Sequence, residues 1–217
     1  MAKTARKDRP PSRPYHHGNL RRGLLDEALA TIRAEGVDRL TLREIGARLG
    51  VSRTALYRHF ADKRALLAAV ATDGFRTLRL QLEAAWAEGG RNRAAFEAMG
   101  TAYIRFAIGN SSHYRVMFGG SIDPKVCGPE LAAEAAGAFQ ALVNALSSLQ
   151  RVRVVREDDT LTMARYVWAV VHGVSMLAIN GQLPDPVSVD ALTRYTSERL
   201  LTGIGAPREP EEFAPRE

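Results

Sequence analysis

"TLREIGARLGVSRTALYRHF", residues 41–60, sets two short helical stretches on either side of a tight turn. Thr41 is followed three residues later by Glu44, the spacing of a capping box, and Leu42, Ile45 and Leu49 fall on one face of the helix that begins there. Gly50 stops that helix. Ser52 is a candidate N-cap for the next, whose apolar side is Leu56 and Phe60. With Val51 in the turn, these apolar residues let the two helices pack across each other. That is the helix-turn-helix pattern, in which the second helix enters the major groove of DNA.

If Leu56 and Phe60 face inward, the outward face carries Arg53, Thr54, Tyr57, Arg58 and His59. Arg suits the acceptors of guanine, Thr a methyl or hydroxyl contact, and Tyr and His the phosphate oxygens. Lys63, in the first turn of the following helix, adds a point charge beside free backbone N–H groups. The alternative is an ordinary αα-corner with a solvated polar face. Charge distribution separates the two. Residues 1–64 hold 15 Lys and Arg against 7 Asp and Glu, a net of +8, while the remainder holds 15 against 17, a net of −2. The whole basic excess therefore sits around this motif, as on a nucleic-acid-binding head joined to a neutral body.

Outward from the motif the chain reads as all-α. Residues 1–14 are polar, basic and proline-containing, a flexible arm. A first helix runs from Asn19 to Gly36, with Leu20, Leu24, Leu25, Ala28, Leu29 and Ile32 at spacings of three and four. Asp62 caps a fourth helix that continues to about Trp86 and is broken by "EGGRNR", residues 88–93. Further helices are expected at 94–109, 112–118, 129–149, 158–180 and 188–203, and residues 206–217 read as a disordered tail. The implied organisation is an arm (1–14), a helix-turn-helix domain (15–64), a helical bundle (65–205) and the tail. Cys127 is the single cysteine, so no internal disulfide can form and a reducing cytoplasm is expected. The apolar stretch 166–179 is interrupted by His172 and reads as too short for a bilayer. The basic N-terminus lacks the apolar run of a secretion signal.

The stretch "TLREIGARLGVSRTALYRHFADKRALL" and the helix before it resemble the TetR family of bacterial transcription regulators, and the resemblance covers residues 17–70. It implies that Arg43, Arg53, Thr54, Ala55, Tyr57 and His59 approach DNA, with Lys63 on phosphate. Thr41, Ser52 and Arg58 complete the candidate set. "YHHGNLRRGLL", "HYRVMFGG" (113–120) and "WAVVHGV" (168–174) are similar to a branch with a Trp…His-Gly signature. That likeness implies a bundle that dimerises through its last two long helices and encloses a small-molecule pocket. The apolar residues of those helices, Leu161, Ala164, Val167, Val171, Val174 and Ala178 with Leu192, Tyr195, Leu200 and Leu201, are more than one antiparallel pair can bury, so they are expected to meet their copies in an intersubunit four-helix arrangement. The expected protein is a homodimeric, ligand-released repressor of operator DNA. An activator or ligand-independent binder of the same fold is the rival, and an enzyme using the pocket a more distant one.

Candidate pocket residues are Tyr103, Phe106, Tyr114, Met117, Phe118, Trp168 and His172, an aromatic and sulfur-bearing group suited to an apolar ligand. Each also fits plain core packing at helical spacing, and His172 reads equally as a hydrogen-bonded core histidine. His16-His17 lacks a third ligand, so no metal or cofactor is expected. Cys127 as a thiol sensor lacks a resolving partner. No nucleotide-binding glycine pattern, zinc spacing or nucleophile elbow supports catalysis.

Overall fold

Punctuation in the sequence becomes caps in the structure. In the computed structural model, residues 20–123, 128–183 and 189–205 are described, and among them there are helices and no strand. Helix α1 (Leu20–Glu35) ends at Gly36, whose φ of 88° is left-handed. Thr41 caps α2 (Leu42–Leu49) by accepting from Glu44 N–H, and its hydroxyl donates to the Glu44 carboxylate at 2.8 Å. Ser52 caps α3 (Arg53–His59) and Asp62 caps α4 (Lys63–Glu88), each through a side chain accepting from the N–H three residues on. The break at 88–93 combines left-handed Gly90 and Arg91 with Asn92, the cap of α5 (Arg93–Gly109).

The body adds α6 (Ser111–Phe118), α7 (Pro129–Arg151), α8 (Thr160–Ile179) and α9 (Val189–Ile204). Helix α4 is its axis, lying against α5, α6 and α7, while α8 fills the far side against α5, α7 and α9. The buried apolar residues of head and body form one continuous core, from Leu24 and Leu56 through Leu66 and Leu78 to Val167 and Leu200. Head and body are joined twice, by α4 itself and by α1 against α6. A domain boundary drawn at 64/65 thus falls in the first turn of a helix that serves both units.

Two expectations change, the length of the penultimate helix and the surface its apolar face meets. Helix α8 begins at Thr160, capped by Asp159, and its 20 residues make it, among the described residues, the one helix long and apolar enough to cross a membrane. Its inner face (Met163, Ala164, Val167, Val171, Ser175) is nevertheless buried against the rest of the bundle. Val167 and Val171, with Ala164, Leu200 and Leu201, face the protomer's own core and do not offer an intersubunit surface. The short charged stretch 151–155 forms no strand, only an isolated bridge from Val155 to Gly205. The basic arm, residues 15–19 with His16-His17, Cys127 and the tail lie outside the described residues.

The joint between α4 and α6 is tight at Gly74. A Cβ there would stand 2.5 Å from Met117 Sδ and 3.2 Å from His113 Cβ. Around it, His113 Nε2 lies 3.5 Å from Asp73, which also takes Arg22 of α1 at 3.4 Å. Gly74→Val is therefore expected to destabilise the fold by about 1–3 kcal/mol, the usual cost of overpacking. Urea unfolding measures this; unchanged stability would mean that α6 does not seat on Gly74.

Candidate functional site

The two short helices of the head are held together by a close approach at Gly46, where a Cβ would sit 3.0 Å from Leu56 Cδ1 and 3.7 Å from Val51 Cγ2. Gly50 makes the turn with φ 67°, its N–H and that of Val51 closing onto the Ala47 and Gly46 carbonyls. Helix α2 is fastened to α1 by Arg48, whose guanidinium reaches Glu35 at 2.7 Å, Thr31 at 3.2 Å and Glu27 at 3.3 Å. This fixes the orientation of α3, with Leu56 and Phe60 buried beneath it.

On the outer side Arg53, Thr54, Tyr57, Arg58 and His59 are exposed, and Ala55 is half-buried. Among the described residues, Arg43, Arg53 and Arg58 have no carboxylate partner, unlike Arg22 and Arg48 beside them. Arg53 lies over the Tyr57 ring at 5.5 Å, a cation–π contact that orders both side chains. The arrangement presents free guanidinium donors on a short helix that stands proud of its support, the chemistry needed for base edges and phosphates.

Other expected contacts are partly engaged. The hydroxyls of Thr41 and Ser52 serve as caps. Lys63 Nζ donates to the Asp38 carbonyl at 3.1 Å, tying α4 to the turn before α2 and leaving two of its three N–H groups. Two basic residues beside the motif were not singled out from the sequence: exposed Arg39 in that turn, and Arg21, whose guanidinium covers the Phe60 ring at 5.6 Å. Their charge was part of the basic excess, but nothing in the spacing set them on this side.

A second feature lies in the body, a cavity of about 410 Å³, within the range of about 300–1,000 Å³ common to small-molecule sites. Four of the seven expected pocket residues line it: Tyr103, Met117, Phe118 and Trp168. Phe106 is instead a core residue, and Tyr114 and His172 stand behind the wall. The rest of the lining comes from Phe75, Leu78 and Leu82 of α4, Phe96, Glu97 and Met99 of α5, Ile122 ahead of α7, Phe139 and Leu142 of α7, Val167 and Val171 of α8, and Ser197 and Leu200 of α9, with glycines and alanines between.

Behind the wall runs a hydrogen-bonded chain. Trp168 Nε1–H donates to Tyr103 Oη at 3.1 Å, Tyr103 Oη meets Tyr114 Oη at 2.9 Å, and Tyr114 Oη meets His172 Nδ1 at 2.6 Å. Burial pushes the Tyr103 phenol up to about 12, against the opposing pull of Tyr114 and Trp168, and it raises Tyr114 as well. Burial also lowers the His172 imidazole below its usual value. All members of the chain are thus neutral at pH 7, and His172 is a hydrogen-bonded wall support.

Residues 24–70 match the family described as bacterial regulatory proteins, tetR family, and residues 96–200 match the tetracyclin repressor-like C-terminal domain. The chain is 54% identical over 44 residues to the class A tetracycline repressor of transposon 1721 from Escherichia coli, a match covering 20% of each protein. It is 40% identical over 53 residues to the class D repressor of the same organism, 24% of each, so the chain spans about a quarter or less of the curated relatives it matches. Among solved structures, a protein of unknown function from Rhodococcus sp. RHA1 is 32% identical with a TM-score of 0.79, covering 89% of this chain and all of that one. The regulator PfmR from Thermus thermophilus is 22% identical with a TM-score of 0.67, over 85% and 99% of the two chains, a likeness of fold.

Arg53→Ala is expected to weaken binding to a selected duplex by about 1–3 kcal/mol, the discrimination of a bidentate base contact, with the melting temperature nearly unchanged. Tyr57→Phe, losing only a hydroxyl, should cost less. Fluorescence anisotropy of labelled DNA measures both, and unaltered affinity in Arg53→Ala would take Arg53 out of the interface.

Proposed function

Because the chain belongs to the TetR family of bacterial regulatory proteins, we propose that it is a cytoplasmic homodimeric repressor released from its operator by a small molecule. One observation carries this reading. Helix α4 starts beside the exposed basic helix and ends in the wall of the apolar cavity, through Phe75, Leu78 and Leu82. Occupancy of the cavity and placement of α3 are therefore properties of one rigid element.

Two copies are needed for specificity. A seven-residue recognition helix touches few bases, and two such helices on one face of DNA require major-groove centres about 34–36 Å apart or a multiple of it. The outward face of α8 supplies a surface for pairing, with Leu161, Tyr166 and Leu177 exposed, and α9 adds Tyr195. Isologous contact of α8 and α9 with their copies would form a four-helix interface and set the separation of the heads. The wall residues Met117 and Phe118 lie on α6, which touches α1 of the head, so a ligand has a second route to the same helices. Its effect on DNA affinity equals its differential affinity for the two arrangements, typically about 5–150-fold.

The double substitution Tyr166→Glu and Leu177→Glu is expected to give a folded monomer by sedimentation and to abolish specific DNA binding. A variant that remains dimeric would move the interface off α8. For the function as a whole, DNA fragments selected by the purified protein should be near-palindromic and bound by one dimer. Activation of transcription from such a site in a reconstituted system would replace the repressor reading.

A further inference from the structure

Among the described residues, four polar side chains line the cavity: Glu97, Tyr103, Trp168 and Ser197. Three of them are engaged with other protein groups. Trp168 has a single N–H to give, and it goes to Tyr103 Oη at 3.1 Å. Tyr103 Oη has two further polar neighbours, Tyr114 Oη at 2.9 Å and His172 Nδ1 at 3.4 Å, so its hydrogen-bonding capacity is met behind the wall. The Glu97 carboxylate accepts from Arg93 Nε at 3.3 Å, and its side chain is 39% exposed. Ser197 stands at the joint of α5 and α9, its Oγ 3.4 Å from the place of a Cβ on Gly100.

The rest of the lining is rings, aliphatic side chains, methionine sulfur and glycine, and no Lys, Arg or His is among the described lining residues. An anion entering this space would lose its hydration and meet no cation. A cation would have to take Glu97 from Arg93 to gain a countercharge. A neutral polar group would give up its water for a wall whose N–H and phenol groups are turned to one another. Apolar area is the one ligand property that the wall rewards without such a cost.

We infer that the cavity responds to uncharged, hydrocarbon-rich molecules as a class, selected by size and apolar area and not by a polar head group. This rests on the reading of the cavity as the effector site. The chain from Trp168 through Tyr103 to Tyr114 and His172 serves that selection by satisfying its polar atoms internally, which leaves the wall blind to the head group.

The chain has two tryptophans, and Trp86 does not line the cavity, so full-length protein carrying Trp86→Phe reports on Trp168 alone. Its emission and the heat of binding are followed with 1-octanol, 1-decanol, nonyl methyl ether (isosteric with decanol), decanoate and decylammonium, each below self-association. Decanol is expected to bind about fifteenfold more tightly than octanol, about fourfold for each CH2. The ether should bind at least as tightly as decanol, and each ion about tenfold more weakly or worse. Adding Ala138→Leu, which enlarges a lining residue, should weaken alcohol and ether alike. Unchanged binding in that variant puts the probes outside the cavity and overturns the inference. An ion that binds as tightly as decanol overturns the uncharged class. An alcohol that outbinds the ether overturns the blind wall, and loss of that preference in Ser197→Ala would place the polar anchor there. If neither emission nor heat registers any probe, the ether included, the cavity is no ligand site and the reading beneath the inference fails with it. Should Ala138→Leu not fold, the ranking of the five probes decides.

Discussion

Helix α4 has no break in its 26 residues, and a straight helix of that length runs about 39 Å. It begins four residues after the end of α3 and carries Phe75, Leu78 and Leu82 of the cavity wall, which makes it the element that would link the two sites in the proposed function. Its sequence allows this because Asp62 fixes the start, no proline interrupts it, and the next glycine pair comes only at residues 89 and 90. Gly74 at its middle lets α6 press directly onto it, and the Arg22–Asp73–His113 group bonds α1, α4 and α6 at that level. On the other flank Glu134 of α7 holds Arg76 at 2.8 Å and Arg79 at 3.0 Å, clamping α4 to the wall of the cavity. Burial resists ionisation of Glu134, but the two guanidinium groups outweigh it and hold its carboxyl below the usual range.

The molecule handles charge in two ways. Where helices are clamped to one another arginines are matched to carboxylates, as Arg48 is to Glu27 and Glu35 and Arg76 and Arg79 are to Glu134. On the face of α3 they are left unmatched, with Arg53 steadied by an aromatic ring. An exposed guanidinium without a carboxylate is free to meet a phosphate or a guanine at no cost in broken ion pairs. The cavity inverts this chemistry, with a wall of rings and aliphatic side chains in which Glu97 is, among the described residues, the one charged residue.

Most of the fold was legible in the sequence because its signals are local. Thr41, Ser52 and Asp62 cap the helices they were expected to cap, and Gly36, Gly50 and residues 88–93 end theirs, since a cap depends on atoms within three or four residues. The exposed face of α3 was legible for the same reason: once Leu56 and Phe60 are buried, the other residues of a seven-residue helix have little choice but to face out. The cavity was only half legible. Phe106 and Met117 have the same kind of surroundings in sequence, yet one fills the core and the other lines the space, a distinction set by how the helices of the body close around them. Val167 and Val171 failed as interface residues on similar grounds, because apolar periodicity marks a buried face without saying what buries it. Lys63 kept its place in the first turn of α4, but its contact with the Asp38 carbonyl required knowing where the α1–α2 turn folds back.

The central claim is that cavity occupancy and DNA placement are coupled through α4, and coupling between two binding equilibria is reciprocal. The most direct measurement uses full-length protein carrying Trp86→Phe, in which the remaining tryptophan, Trp168, lines the apolar cavity: the affinity of 1-decanol, an uncharged apolar probe, is read from its emission with and without saturating operator duplex. Bound DNA should weaken alcohol binding by the same factor by which the alcohol weakens DNA binding. Identical alcohol affinity in the two titrations would contradict the coupling.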